Sequence, residues 1–226
     1  MSFIVVEGLD GSGKSTQMGF LRAYLDAMKK PYRYLHFPRL EEGVYGKLIA
    51  RFLRGEMGAI NQVDPYLVAL IFAGDRAEAS DIIGGWIKNK HIVILDRYVY
   101  SNIAFQCAKI PDPGERSRLR DWILNLEFEV NKIPKPDLNL FLDVPIEFVH
   151  AQLKSHREGS DRDYLKGCRD IHEDSLRFQE TVREVYLSLP SRVDDLKVIN
   201  CQNPGGEMKP AGQIFELIKK QITGLL

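Results

Sequence analysis

FIVVEGLDGSGKSTQ, residues 3–17, is the stretch whose reading decides the fold. Phe3 to Val6 is a short apolar run rich in β-branched residues, the mark of a buried strand. Glycines, a lysine and hydroxyl side chains follow at once, where a chain would otherwise go on building core. Gly8, Gly13, Lys14 and Ser15 match the pattern G-x-x-x-x-G-K-[ST]. A helix is expected from Lys14 to Lys30, stopped by Pro31. The pattern alone recurs by accident in strand-turn-helix corners; a strand before it and a helix after it are what phosphate binding requires. Glycines let backbone N–H groups turn inward around phosphate oxygens, and the helix aims its positive end at the same anion. Leu9, Asp10, Gly11, Ser12 and Thr16 complete the loop. Lys14 can reach β- and γ-phosphates, and Ser15 can offer its hydroxyl to a metal ion. The predicted ligands are a purine nucleoside triphosphate and Mg²⁺.

Outward from the loop, strands and helices alternate. Tyr32–Phe37 reads as a strand stopped by Pro38, and Val44–Arg54 as a helix. Asp64-Pro65 looks like an N-cap with proline in the first turn, opening a helix to about Lys90. HIVILD, 91–96, is the clearest strand, ending on an acid. Ser101–Lys109 is expected to be helical with Ser101 as its cap, PDPG at 111–114 to break it, and Arg116–Val130 to be helical again. Leu138–Val144 is a strand, Pro145 opens a short helix, and Val182, Val185, Tyr186 and Leu189 mark another helix. Leu196–Ile199 is a last strand, and Ile214, Leu217, Ile218, Ile222 and Leu225 stripe a last helix. Strands separated by helices make βαβ units. The expectation is an α/β fold, a five-stranded parallel sheet with helices on both faces, because the strands are continuously apolar rather than alternating. One domain over 1–226 is expected, with the polar stretch Ser155–Asp170 as an excursion from it.

The bulk numbers narrow the partners. Of 226 residues, 31 are Lys or Arg and 31 Asp or Glu, so net charge gives no reason to expect nucleic acid or an anionic membrane. Anions must then bind at local basic clusters. Cys107, Cys168 and Cys201 are odd in number and far apart, which argues against a disulfide framework or a zinc site and for reduced thiols. The start of the chain, MSFIVVEGLDG, reaches an acid too early for a signal peptide, and no apolar run approaches the ~20 residues of a membrane span. A cytoplasmic protein is expected.

Asp96 ends its strand beside the loop, where a carboxylate suits a water-mediated Mg²⁺ contact or, alternatively, a turn or helix cap. Arg97 beside it favours an anionic substrate at the same edge. A GTPase would need N-K-x-D; NKIP at 131–134 lacks the aspartate, and a motor ATPase would need more chain. A small kinase remains. FIVVEGLDGSGKSTQ, HFPR, IFAGDRAE, DRYVYSNIAFQ and PDLNLFLDVP occur in this order, and over about residues 3–190 the chain resembles the thymidylate kinase family.

That resemblance implies a nucleoside monophosphate kinase fold and transfer of the ATP γ-phosphate to dTMP, giving dTDP and ADP. It implies that Asp10 bonds the acceptor sugar 3′-hydroxyl and that Arg39, in HFPR, and Arg97 grip the acceptor phosphate. Two guanidiniums also offset repulsion between two anions. Phe72 matches the aromatic that stacks on thymine, with Arg76 four residues on as base-edge donor. Read without the family, Phe72 is a core residue. Asn102 and Gln106, also four apart, match polar positions near the base edge, or else are helix-surface amides. His36 reads as an ordinary strand-end residue.

Family members carry a mobile lid, here at about 154–171. Gly11 follows Asp10, so no cation stands in the loop at that point, and this chain resembles members whose lid supplies the catalytic arginine. Arg157 is the first choice, Arg162 the second, and Tyr164 a sugar contact. The family's D-R-x-E at the lid's end is here CRDIHED, a departure. No general base is singled out, because phosphate is already a competent nucleophile. A homodimer is expected, through the Asp64–Lys90 and Ser101–Lys109 helices. Two other functions stand beside this one: a kinase for another nucleoside monophosphate, and a nucleotide-binding regulatory protein without turnover.

Overall fold

A computed structural model describes residues 2–154 and 176–226. Arg157, Arg162 and Tyr164, and with them the expected lid, lie outside the described residues.

The strands are β1 (Phe3–Gly8), β2 (Tyr32–His36), β3 (Ile92–Asp96), β4 (Leu138–Asp143) and β5 (Leu196–Asn200). All pair in parallel, in the order β2-β3-β1-β4-β5. Every residue of β1, β3 and β4 is buried, which is why their sequences are continuously apolar: helices cover both faces. The helices are α1 (Lys14–Ala27), α2 (Gly43–Leu53), α3 (Pro65–Lys88), α4 (Val99–Cys107), α5 (Pro113–Asn125), α6 (Ile146–Lys154), α7 (Leu176–Ser188) and α8 (Ala211–Ile222). A π-helical turn, Leu126–Val130, continues α5.

Local chemistry sets most boundaries. Asp64 caps α3, accepting from Tyr66 N at 2.8 Å, with Pro65 at the first position. Lys29 takes a left-handed φ of 53°, so α1 ends at Ala27 and not at Lys30. PDPG does not simply break a helix. Asp112 accepts from Glu115 N at 2.7 Å, and Pro113 and Gly114 form the first turn of α5. Ser101 is not a cap either, since α4 begins two residues earlier and its hydroxyl is drawn to Glu7 at 2.5 Å.

The main core runs from Phe3 to Ile222 and includes Ile214, Ile218 and Ile222 of the predicted α8 stripe. A second cluster of Ile49, Phe52, Leu53 and Val68 joins α2 to α3. Cys107 and Cys201 are buried and free, and burial pushes both thiols up to about 12, so they are inert.

This topology fixes where a ligand goes. β1 lies between β3 and β4, and the connections leave it in opposite directions. In open parallel sheets such a switch point opens a crevice at the carboxyl ends of the strands. Register brings Val6 beside Asp96, His36 beside Asp96, and Gly8 beside Leu142, so the phosphate loop, the end of β3 and the end of β4 meet there.

Candidate active site

The loop is built for close approach to an anion. A Cβ on Gly8 would lie 2.6 Å from Ser12 Oγ and 3.4 Å from Lys14 Cγ, so a side chain there would displace the Ser12 hydroxyl. Gly13 stands at φ 80° immediately before α1, a conformation that side chains resist. Lys14 is buried, and its Nζ donates to Leu9 O at 2.8 Å. Burial pushes its pKa down to about 8, with the nearby Arg97 charge adding to the fall, while Asp96, Asp10 and Glu7 oppose it. Ser15 and Thr16 are exposed in the first turn of α1. Ser12 Oγ is buried with no partner among the described residues.

Arg97 sits at the end of β3 with φ 67°, a left-handed backbone uncommon for a side chain of its kind and frequent at functional sites. Its guanidinium donates to Asp10 Oδ1 at 2.6 Å and to Ser101 Oγ at 3.2 Å. Burial disfavours the charge, but Asp10, Asp96 and Glu7 together with Tyr186 outweigh it, and the pKa stands above its ordinary value. Gln179 of α7 donates to the other Asp10 oxygen at 3.2 Å. Asp10 and Arg97, assigned to one acceptor by resemblance, are thus a single ion pair.

Beneath them lies Glu7, fully buried. It accepts from Tyr98 N at 3.0 Å, Ser101 N at 3.2 Å, Ser101 Oγ at 2.5 Å and Tyr186 Oη at 3.0 Å. Burial raises its pKa, and these donors and Arg97 only partly oppose that. Glu7 ties β1 to the start of α4 and to α7. Sequence reading passed over it, although an acid closing an apolar strand was a visible signal.

Asp96 is buried, with Oδ2 3.3 Å from His36 Nδ1 and Oδ1 without a partner among the described residues. Burial favours the neutral acid, yet the His36 hydrogen bond, Lys14 and Arg97 outweigh it and hold the pKa below the ordinary carboxylate range. The reading of Asp96 as a turn or helix-cap aspartate finds no support, and His36 is a partner of Asp96 rather than a bystander.

Arg39 follows a cis Phe37–Pro38 bond and is buried, not a solvated surface residue. Asp75 of α3 grips it through Arg39 N and Nε, each at 2.9 Å, and the Asp75 carbonyl accepts from Nη2 at 2.8 Å. Glu42 accepts from Nη1 at 2.9 Å. Asp75 was missed by sequence reading; it holds one cation, Arg39, and is itself followed directly by another, Arg76.

A third group gathers around Glu127 of the π turn, also missed. Arg76 is one of the largest fully buried side chains, and its Nε and Nη2 both donate to Glu127 Oε1, the former at 2.9 Å. Burial lowers the Arg76 pKa, but Glu127, helped by Asp75 and Tyr98, more than offsets it. Asn102 Nδ2 donates to Ala69 O at 3.0 Å and to Glu127 Oε1 at 3.3 Å. Asn102 and Gln106 are both buried, which rules out the surface-amide reading. Asn102 Oδ1, Gln106 Nε2 and Glu127 Oε2 have no partner among the described residues. Phe72 is half-buried and packs against the α2–α3 cluster, so it is neither full core nor free surface. Buried polar atoms left open are costly. Here they cluster where the resemblance puts a nucleotide.

Among the described residues no group of three or more His, Cys, Asp or Glu forms a metal cage. The donor set that exists, the Ser15 hydroxyl and the open Asp96 oxygen beside a phosphate loop, fits a Mg²⁺ that takes its other ligands from phosphates and water.

A parallel sheet with a phosphate loop after its central strand, and guanidiniums and carboxylates at its carboxyl edge, defines a phosphate-loop kinase. The particular family follows from comparison: the thymidylate kinase model matches residues 6–210, and the chain belongs to that family. "Probable thymidylate kinase" of Pyrococcus horikoshii is 31% identical over 226 residues, 99% of this chain and 98% of the relative. Thymidylate kinase of Mycobacterium tuberculosis is 32% identical over 189 residues, 84% of this chain and 86% of its own. The solved thymidylate kinase of Candida albicans superposes with a TM-score of 0.72 at 26% identity, covering 99% of this chain and 91% of that one.

Proposed function

We propose that this chain transfers the γ-phosphoryl group of ATP to dTMP, giving dTDP and ADP, a step of dTTP synthesis. The observation that carries the choice of base is the pair of open atoms on α4. Asn102 Oδ1 is an acceptor and Gln106 Nε2 a donor. Thymine offers an N3–H donor beside a carbonyl acceptor, whereas cytosine offers an acceptor beside an amino donor. The α4 pair complements the first and opposes the second.

Loop N–H groups and Lys14 hold the donor phosphates, and Ser15 and Asp96 are the residues that would hold Mg²⁺. The metal, when bound, neutralises charge on the β- and γ-phosphates. Asp10 faces the acceptor 3′-hydroxyl, and Arg39 and Arg97 hold the acceptor phosphate. An oxygen of that phosphate attacks the γ-phosphorus as the bond to the β-phosphate oxygen breaks. No side chain needs to take a proton from the nucleophile; positioning and charge neutralisation suffice. Phe72 stacks on the base, while Arg76, Asn102 and Gln106 line its edge. The lid, at about 154–171 of a single domain spanning 1–226, brings Arg157, or else Arg162, to the transferring phosphoryl group and Tyr164 to the sugar. We further read the protein as a cytoplasmic homodimer using α3 and α4. No described helix is long and apolar enough to cross a membrane, and a net charge of zero gives nucleic acid no hold.

A second reading is broader use of monophosphates, because the Candida albicans relative is described as revealing the origin of broad substrate specificity. ADP release measured with dTMP, dUMP, UMP and dCMP separates the two. Turnover on UMP or dCMP equal to that on dTMP would contradict the proposal.

A further inference from the structure

Gln106 can read a base only if its amide faces one way. Oxygen and nitrogen of a glutamine amide occupy similar space, and exchanging them turns a donor into an acceptor. Gln106 is buried on α4, one turn beyond Asn102. Its Oε1 accepts from Lys109 Nζ at 2.6 Å, and its Nε2 has no partner among the described residues. An ammonium donates only, so the atom facing it must be the amide oxygen. While Lys109 is charged, the amide cannot turn round without losing that bond and setting donor against donor.

Lys109 in turn is held in place. Its Nζ lies 4.6 Å from the centre of the Phe52 ring, within range of cation–π attraction. Phe52 belongs to the α2–α3 cluster against which Phe72 packs. Burial alone pushes the Lys109 pKa down to about 7, so keeping the cation there costs free energy. A methionine has a stem of similar length and would fill the space without that cost.

We propose that Lys109 is a positioning residue for base selection: it locks Gln106 with the amide nitrogen presented to the 4-carbonyl of the pyrimidine. This rests on the assignment of the α4 amides to the base. The device favours thymine and uracil over cytosine, whose 4-amino group would meet a donor. The 5-methyl group plays no part in it, so dTMP and dUMP are treated alike by this contact.

The test compares wild type, Lys109→Met, Lys109→Arg and Gln106→Glu, assayed with dTMP and dCMP below about pH 7, where Lys109 carries its charge. Lys109→Met is expected to raise KM for dTMP about tenfold, the loss of roughly one hydrogen bond. Its kcat with dTMP stays within about twofold, its preference for dTMP over dCMP falls by a similar tenfold, and its melting temperature is unchanged or higher. Lys109→Arg, which keeps a cationic donor, restores most of the preference. Gln106→Glu keeps the contact to Lys109 but has no N–H to present, and is expected to lose the preference as well. It serves if Lys109→Met does not fold. An unchanged dTMP-to-dCMP ratio in Lys109→Met overturns the inference. So does a uniform fall in kcat with both substrates, or a lowered melting temperature with the ratio intact. A wild type that does not prefer dTMP at all defeats the base assignment instead, whatever the variants do.

Discussion

The phosphate end and the base end of this molecule are made in opposite ways. At the proposed phosphate end, ten consecutive residues, Glu7–Thr16, supply the loop, its lysine and its hydroxyls, and on that proposal backbone N–H groups do much of the binding. At the proposed base end, Arg76, Asn102, Gln106 and Glu127 come from α3, α4 and the π turn, and on that proposal side-chain amides and charges do the reading. A phosphate is the same in every nucleotide, so a backbone cradle suffices. A base is told from its rivals by the direction of each hydrogen bond, so each amide needs a partner that fixes which end it shows. Asn102 has Ala69 O and Glu127 on its nitrogen; Gln106 has Lys109 on its oxygen.

The sharpest way to break this contrast is Lys14→Ala. It should lower kcat about 10³-fold with every monophosphate alike, leaving selectivity intact, as steady-state assays on dTMP and dUMP would show. At the other end, Glu127→Ala strands a buried guanidinium. It should cost about 3–5 kcal/mol in urea unfolding, alongside weaker dTMP binding. A loss of transfer with no loss of stability there would mean that Glu127 belongs to the phosphate chemistry.

Glu7 joins the two ends, and its buried carboxyl has a raised pKa. Between the unfolded value near 4.5 and that raised value, the folded state holds more protons than the unfolded. Stability from this group is therefore full below about pH 4.5 and is lost as pH rises through the folded pKa. Glu7→Gln should flatten that decline, read from denaturation midpoints across pH. An unchanged slope would place the decline elsewhere. Asp112→Ala removes an exposed helix cap and should cost about 1 kcal/mol with kcat unchanged.

The same contrast explains what the sequence could tell. The phosphate loop was legible because its parts are adjacent and its glycines have few other uses. β1, β3 and β4 were legible because burial on both faces leaves apolar runs such as HIVILD, whereas the edge strands β2 and β5 are partly exposed and show shorter, mixed runs. Glu7 was readable and overlooked. Glu127 carried no signal: it lies in LEFEV, an ordinary stretch of an amphipathic segment, and only the π turn and the approach of α3 bury it. Asp75 and Gln179 meet loop residues 36 and 169 positions away, which no local pattern encodes, whereas Lys109 and Gln106 stand three residues apart at the end of α4 and were open to reading. Ser101 was misread as a cap because Glu7, 94 residues away, competes for its hydroxyl. Its place in DRYVYS looked like a helix start from local rules alone.

The central claim is that a phosphate loop does the transfer while oriented amides on α4 choose the base. The ratio of kcat/KM for dTMP over dCMP, in wild type and in Asn102→Ala, tests it most directly. The account predicts a wild-type ratio of about 10² or more, because cytosine would leave buried polar atoms opposed. In Asn102→Ala the ratio should fall about tenfold, to the share that Gln106 still supplies, with kcat for dTMP kept within about tenfold. A wild-type ratio near one, or a high ratio that survives the substitution, would contradict it.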